Sequence, residues 1–242
     1  MGTFFQAFAQ ADFFGKLIFF GLFTLSFICW VFLIHKVWTL RKVRKQARRF
    51  NSAIKKHKES LLKLEVQTIP SLNRRPYPQP YRTLFIALKE KTMEILDKNN
   101  FFSLQMQRGS TNYLSRTDVE MIDSYLQSTI AKERESLEKN LFILSTTVTL
   151  APFLGLLGTV WGILITFGEL QAGHSVTSNT VVLGGLSTAL TTTVLGLLIA
   201  IPALVAYNYL KNLSRHFTTE MRDFSQFLLS TVELQYRKVD VG

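Results

Sequence analysis

Hydrophobic and charged positions segregate along this chain. Leu17 to Ile34 carries no charged residue, Asn140 to Gly168 carries none, and Leu170 to Leu210 is broken only by His174. A hydrocarbon core of ~30 Å needs ~20 helical residues, so each run is long enough to cross a membrane. The third run is too long for one span. Its polar start, "LQAGHSVTSN", reads as a loop, with the helix beginning near Thr180. The pattern predicts three transmembrane helices, at 14–36, 141–168 and 180–208.

Between and after the spans the period is that of amphipathic helices. Leu40, Val43, Ala47, Phe50 and Ile54 recur at three- and four-residue steps and predict a helix from Val37 to about Leu64. "IPSLNRRPYPQPYR", Ile69 to Arg82, holds four of the six prolines and predicts a loop. A shorter helix is expected over Tyr81 to Leu96, and "KNNFFSLQMQRGS" after it reads as a loose connection. Thr117 and Glu120 have capping-box spacing. Ile130, Leu137 and Leu144 share a helical face, and no glycine or proline interrupts 110–151. One helix is therefore expected to rise straight into the second span, and residues 115–168 would make a rod of ~80 Å. Leu213, Phe217, Met221, Phe224, Leu228 and Val232 repeat the stripe in the tail. Ordinary packing explains each stripe. A stripe on an extended helix also needs a partner, which predicts bundling between subunits.

Charge gives this layout an orientation. The 242 residues carry a formal net charge of +11, and 47% are hydrophobic; the mean hydropathy is +0.16. Only Lys16 precedes the first uncharged run, whereas "HKVWTLRKVRKQARR" follows it. That is the flank of a membrane anchor and not of a cleaved signal. The Lys/Arg bias places the N-terminus and the short loop outside, with the long middle segment and the tail in the cytoplasm. The expected layout is an all-α integral membrane protein. It has an outer N-terminus (1–13), span one (14–36), a cytoplasmic helical domain (37–140), span two (141–168), an outer loop (169–179), span three (180–208) and a cytoplasmic C-terminal helix (209–242). Positive-inside flanks and anionic lipid headgroups account for the basic excess, and no zinc-finger, KH or RRM signature points to nucleic acid. The single cysteine, Cys29, lies in the first span and excludes an intramolecular disulfide and a cysteine metal cluster.

No Asp, Glu, Lys or Arg lies inside the uncharged runs, so the chain alone brings no ionisable carrier to the membrane midplane. It brings hydroxyls: Thr146, Thr147, Thr149, Thr159 and Thr166 in span two, Ser187, Thr188, Thr191, Thr192 and Thr193 in span three. Gly155, Gly158, Gly162, Gly184, Gly185 and Gly196 sit among them. Small residues let helices approach and hydroxyls bond across them, which is the plainer account of any one of these residues. Thr159 lies ~15 Å inside the outer end of its helix and Thr193 ~20 Å inside its own, so the two hydroxyls are expected at similar depth. Pro152 and Pro202 each remove a helix N–H and free a carbonyl, marking two kinks. The first span, with aromatics around it and hardly any polar atom, is expected to face lipid.

"APFLGLLGTVWGILITF" (Ala151 to Phe167) and "GGLSTALTTTVLGLLIAIPALVAYNYL" (Gly184 to Leu210) resemble the signature helices of the MotA/TolQ/ExbB proton-channel family. The three-span plan is similar to the TolQ and ExbB branch; flagellar MotA, with four spans, fits less well. The resemblance implies a bacterial inner-membrane homo-oligomer, a pentamer around a central pore. It also implies a TolR/ExbD-type single-span partner whose helices sit in the pore and supply an essential Asp, and a TolA/TonB-type protein driven by proton-motive force. No cofactor or metal is implied. Thr159, in "GTVWG", and Thr193, in "TTTVLG", match the family's pore-facing threonines, whose implied role is to hydrogen-bond the partner's carboxyl or its water. The chain departs at "LSTAL": many members read Ile-Ala-Glu-Ala-Leu there, so Thr188 stands in place of a pore glutamate.

The resemblance thus implies a proton-channel subunit of a Tol-Pal or TonB-type motor, and the short outer N-terminus tilts the choice toward TolQ. The alternative is a passive membrane scaffold that anchors partners without conducting protons. An enzyme is not expected: His35, His57, His174 and His216 are scattered, with no nucleophile–base or metal spacing.

Overall fold

A computed structural model describes residues 5, 7–9, 11–55, 78–105, 113–171 and 179–236. The elements are α1 (Phe13–Lys55), α2 (Pro80–Gln105), α3 (Arg116–Glu138), α4 (Phe142–Gln171) and α5 (Asn179–Tyr236). All are helices, and α1, α4 and α5 are long and apolar enough to cross a membrane. The chain forms two compact units, one from Met1–Val37 and Asn140–Lys211, the other from Trp38–Lys139 and Asn212–Gly242.

In the first unit the N-terminal part of α1 and the residues just before it pack on α4 and α5. Ala7, Ala11, Ile18, Phe19 and Leu22 form a buried cluster with Ala151, Leu195, Ile199 and Ala200. The first span is therefore not wholly lipid-facing. One face is core, because apolar residues recur all round the helix and its neighbours cover one side. Phe20, Phe23, Phe27, Trp30 and Ile34 remain on the exposed side. Burial reaches only 22% of the apolar window in α1, 22% in α4 and 44% in α5. The rest of this apolar surface needs lipid or protein against it. Asp12 begins α1 by accepting the Gly15 N–H at 2.9 Å through Oδ1, as an N-cap does.

The second unit is a helical bundle whose core is the predicted stripes. Leu40, Val43, Ala47, Phe50 and Ile54 of α1 are buried, as are Phe217, Met221, Phe224, Leu228 and Val232 of α5. Within the chain they pack against α2: Phe50 meets Phe85 and Phe224 edge-on, and Tyr81 stacks on Phe224 at 4.4 Å between centroids. The stripes thus find partners inside one chain. The Tyr81 hydroxyl donates to the Glu220 carbonyl at 3.0 Å, and Arg44 pairs with the Glu220 carboxylate. Burial, with the Glu220 and Asp223 charges nearby, pushes the Tyr81 phenol up to about 12.

Three local expectations are corrected. The continuous rod through 115–168 is broken at Lys139–Leu141, where Asn140 takes a left-handed φ of 67°. Asparagine tolerates that conformation better than most residues, so the helix ends without glycine or proline. The capping box of α3 is Ser115 with Asp118: Asp118 N–H donates to Ser115 Oγ at 3.2 Å and Ser115 N–H to Asp118 Oδ2 at 2.9 Å. Glu120, expected in that role, pairs with Arg116 instead. Helix α2 runs to Gln105, beyond the expected Leu96; its Asn99 amide donates to Asp118 at 3.0 Å and ties this end to α3. The third span and the tail run on as one uninterrupted helix, α5. Pro80 opens α2 at a position where its missing N–H costs nothing. The expected helix beyond Lys55, most of the proline-rich loop and most of the outer loop lie outside the described residues.

Candidate functional site: a polar seam between α4 and α5

Helices α4 and α5 run antiparallel and meet along a strip of small residues. A Cβ on Gly155 would lie 2.9 Å from Thr192 O and Thr193 Cα; one on Gly162 would lie 2.7 Å from Ala189 Cβ. A Cβ on Gly196 would lie 2.5 Å from Ala151 O, and one on Gly158 would collide with the Thr192 side chain. Gly155 and Gly196 thus sit where the backbones approach too closely for a side chain, and Gly158 and Gly162 leave room for the Thr192 and Ala189 side chains. Gly185 repeats the arrangement against Thr166, whereas Gly168 meets nothing within 4 Å. The absence of side chains gives the seam its close backbone contact, the kind small residues provide between membrane helices.

Hydroxyls line this contact. Thr193 Oγ1 donates to Gly155 O at 3.0 Å and lies 3.4 Å from Thr159 Oγ1. Thr159 Oγ1 donates to Leu156 O at 2.6 Å. Thr192 Oγ1, fully enclosed, lies 2.7 Å from Ala189 O and 3.1 Å from Gly155 O. Thr166 donates to Gly162 O, and Thr188 to Gly184 O at 2.9 Å. The structure therefore brings Thr159 and Thr193 together and leaves Thr188 bonded to its own helix. Thr192, which the sequence offered only as one hydroxyl in a run, is the most buried of them. Its place facing Gly158 comes from the antiparallel register, which no local pattern reveals. Pro152 and Pro202 lie inside α4 and α5, Pro202 on an exposed face.

One hydroxyl has one proton to donate. The Thr159 proton serves Leu156 O, and the Thr193 proton serves Gly155 O with Thr159 Oγ1 as the longer alternative. The seam therefore has oxygen lone pairs to offer without loss, but can donate only by giving up a backbone bond, a net cost of about 1 kcal/mol. A protonated carboxyl, which donates, suits it better than a carboxylate, which must be donated to.

A second contact was not legible in the sequence. The Trp161 indole N–H donates to Asp12 Oδ2 at 2.8 Å, and Phe14 packs on the Trp161 ring at 4.4 Å. Partial burial works against ionisation of Asp12. The N–H groups of Trp161, Gly15 and Phe14 outweigh it and hold the carboxyl below its ordinary range.

The description "MotA/TolQ/ExbB proton channel family" belongs to the family model that matches residues 95–223, more than half of the chain and both helices of the seam. The chain belongs to this family. Relatives of the TolQ/ExbB branch bear this out. The Xanthomonas campestris pv. campestris (strain B100) biopolymer transport protein ExbB is 32% identical over 126 residues, 51% of this chain and 49% of that protein. The Haemophilus influenzae Tol-Pal system protein TolQ is 36% identical over 107 residues, 44% of this chain and 45% of that protein. The Aquifex aeolicus ExbB is 37% identical over 102 residues, 42% of this chain and 66% of that protein. The chain spans about half the length of the first two relatives. Family and fold agree on an all-helical, multi-pass membrane protein of the TolQ/ExbB branch.

Proposed function

We propose that this protein is the proton-channel subunit of a Tol-Pal or TonB-type motor in the bacterial inner membrane. In this reading the chains form a ring, a pentamer, around helices of a TolR/ExbD-type partner. That partner supplies the carboxyl which the spans lack, and proton flow drives a TolA/TonB-type protein. The N-terminus lies in the periplasm and the C-terminus in the cytoplasm. The observation that carries the reading is the Thr159–Thr193 hydroxyl pair, set at one depth in charge-free spans. Its free lone pairs can accept from a protonated carboxyl in surroundings where an unpaired polar group would cost several kcal/mol, on the order of 2–7. Either the glutamate common in the family is dispensable here, or its task falls to Thr188 and water.

The passive-scaffold reading draws on one observation: Thr188 holds no acid and spends its proton on Gly184 O. Co-expression of the chain with a TolR/ExbD-type subunit separates the two. The motor predicts a homo-oligomer that retains partner helices in native mass spectrometry and dissipates a proton gradient in proteoliposomes. A complex that assembles but passes no protons, with or without the partner's Asp, leaves the scaffold. Orientation is tested by cysteines at Ser175 and Ser110: in spheroplasts an impermeant maleimide should reach the first and not the second.

A further inference from the structure

The outward face of α1 changes character within one helical turn. Phe27, Val31, Ile34 and Trp38 are exposed and recur at three- and four-residue steps. The same face continues as Arg41, Lys42, Lys45 and Arg49, turned away from the buried stripe Leu40, Val43, Ala47, Phe50 and Ile54. From Lys36 to Lys55 inclusive there are eight Lys and Arg and no Asp or Glu. Arg44, on the flank, is used within the bundle by Glu220. Arg41, Lys45 and Arg49 are exposed and have no acidic partner among the described residues. Lys42 Nζ lies 3.2 Å from the Trp38 ring centroid, so the ring and the first cations form one surface.

We propose that Trp38, Arg41, Lys42, Lys45 and Arg49 form a docking surface for anionic phospholipid headgroups at the end of the first span. This goes beyond the proposed function and rests only on α1 crossing a membrane. The apolar face running into Trp38 is the argument for lipid, because it sets this ring at the boundary where tryptophan anchors helices. At 1.5 Å per residue, Arg41 and Lys42 lie ~5 Å beyond Trp38, Lys45 ~10 Å and Arg49 ~16 Å. The headgroup layer is ~5–7 Å thick on each side. Arg41 and Lys42 thus stand at phosphate level, and Lys45 reaches back along its own aliphatic stem. Arg49 stands more than one Debye length of ~8 Å beyond the headgroup layer and contributes least. Charge complementarity selects phosphatidylglycerol-like lipids over zwitterionic ones.

The test uses the full-length protein in phosphatidylcholine bilayers doped with spin-labelled phosphatidylglycerol or spin-labelled phosphatidylcholine, and compares the fraction of each lipid held at the protein. The wild type should prefer phosphatidylglycerol. Arg41→Gln/Lys45→Gln/Arg49→Gln should lower the preference by about five-fold or more, the size expected for removing one or more engaged cations. Lys132→Gln, an exposed lysine on α3, should leave it unchanged. Raising salt to about 1 M, where the Debye length falls to ~3 Å, should erase the wild-type preference. If the triple variant does not fold, as judged by helicity, Lys45→Gln alone and the wild-type salt titration carry the test. A triple variant that keeps the preference, or a wild type that has none, overturns the proposal. Tighter binding of a short oligouridine through the same side chains would also overturn it, since the surface would then belong to nucleic acid.

Discussion

The hydroxyls of Thr159 and Thr193, thirty-four residues apart, face each other at 3.4 Å across α4 and α5. Neither is spare: each is also bonded to a backbone carbonyl, at 2.6 Å and 3.0 Å. The pair is thus both part of the helix contact and an available set of lone pairs. Thr→Val keeps the shape and removes both properties. Loss of one such bond costs about 0.5–1.5 kcal/mol, too little to dismantle the unit. Thr159→Val and Thr193→Val are expected to assemble, as crosslinking would show, and to fail in complementation of a strain lacking the gene. Thr188→Val should be milder, and Thr188→Glu tolerated. Thr146→Val, at an exposed position, should behave as the parent. Full complementation by Thr159→Val/Thr193→Val would reduce these hydroxyls to packing.

The glycines of the seam should separate sharply under alanine substitution. At Gly196 the added methyl meets Ala151 O and, at 3.2 Å, Gly155 Cα, both backbone, so no rotamer change relieves it. Gly196→Ala is expected to destabilise by about 1–3 kcal/mol through forced separation of the helices. Gly168→Ala meets nothing within 4 Å and should be neutral or better. Helicity followed during SDS titration of the detergent-solubilised protein measures both. Equal stability of the two variants would mean that the seam is looser than described.

In the bundle, Ser115→Ala removes the acceptor of the Asp118 N–H and should cost about 1 kcal/mol. Partial burial raises the Asp118 pKa, but the Ser115 N–H and hydroxyl and the Asn99 amide outweigh it and hold the carboxyl below its ordinary range. A depressed carboxyl stabilises above its unfolded pKa of about 3.9, and that contribution is lost as pH falls through the lower, folded value. Asp118→Asn should flatten this part of the acid limb in thermal unfolding followed by circular dichroism. An acid limb identical to that of the parent would refute the assignment.

Tyr81 gives the opposite limb. Its phenol is pushed up to about 12, so its contribution is complete below the unfolded value of about 10 and disappears as pH rises through the folded value. Spectroscopic titration should show one tyrosine that ionises about two units above the ordinary range. Tyr81→Phe removes this tyrosine and the bond to Glu220 O, at about 0.5–1.5 kcal/mol, while Tyr81→Ala also loses the stacking on Phe224, at about 3–5 kcal/mol. Similar losses in the two variants would place the energy in the hydroxyl and not in the ring.

Elements whose signal is local and periodic are legible in the chain alone. Three charge-free runs announce three helices able to cross a membrane, since an apolar stretch of that length has few other stable settings. The stripes at Leu40–Ile54 and Phe217–Val232 announce buried faces because helical period and burial are the same fact read twice. Gly155, Gly158, Gly162 and Gly196 announce close approach because only the absence of a Cβ permits it. Long-range packing set the rest. The stripes close on Tyr81 and Phe85 inside one chain, a choice among partners that no single stripe encodes. The break at Asn140 has no glycine or proline to signal it; asparagine merely tolerates the left-handed φ that the turn adopts. Ser115 outcompeted Thr117 as the cap because Asn99, on another helix, holds Asp118 in place. The pairings of Thr193 with Thr159, Thr192 with Gly158 and Trp161 with Asp12 depend on the register of antiparallel helices. That register is set by many small contacts summed along the seam, and a one-dimensional pattern names those contacts without pairing them.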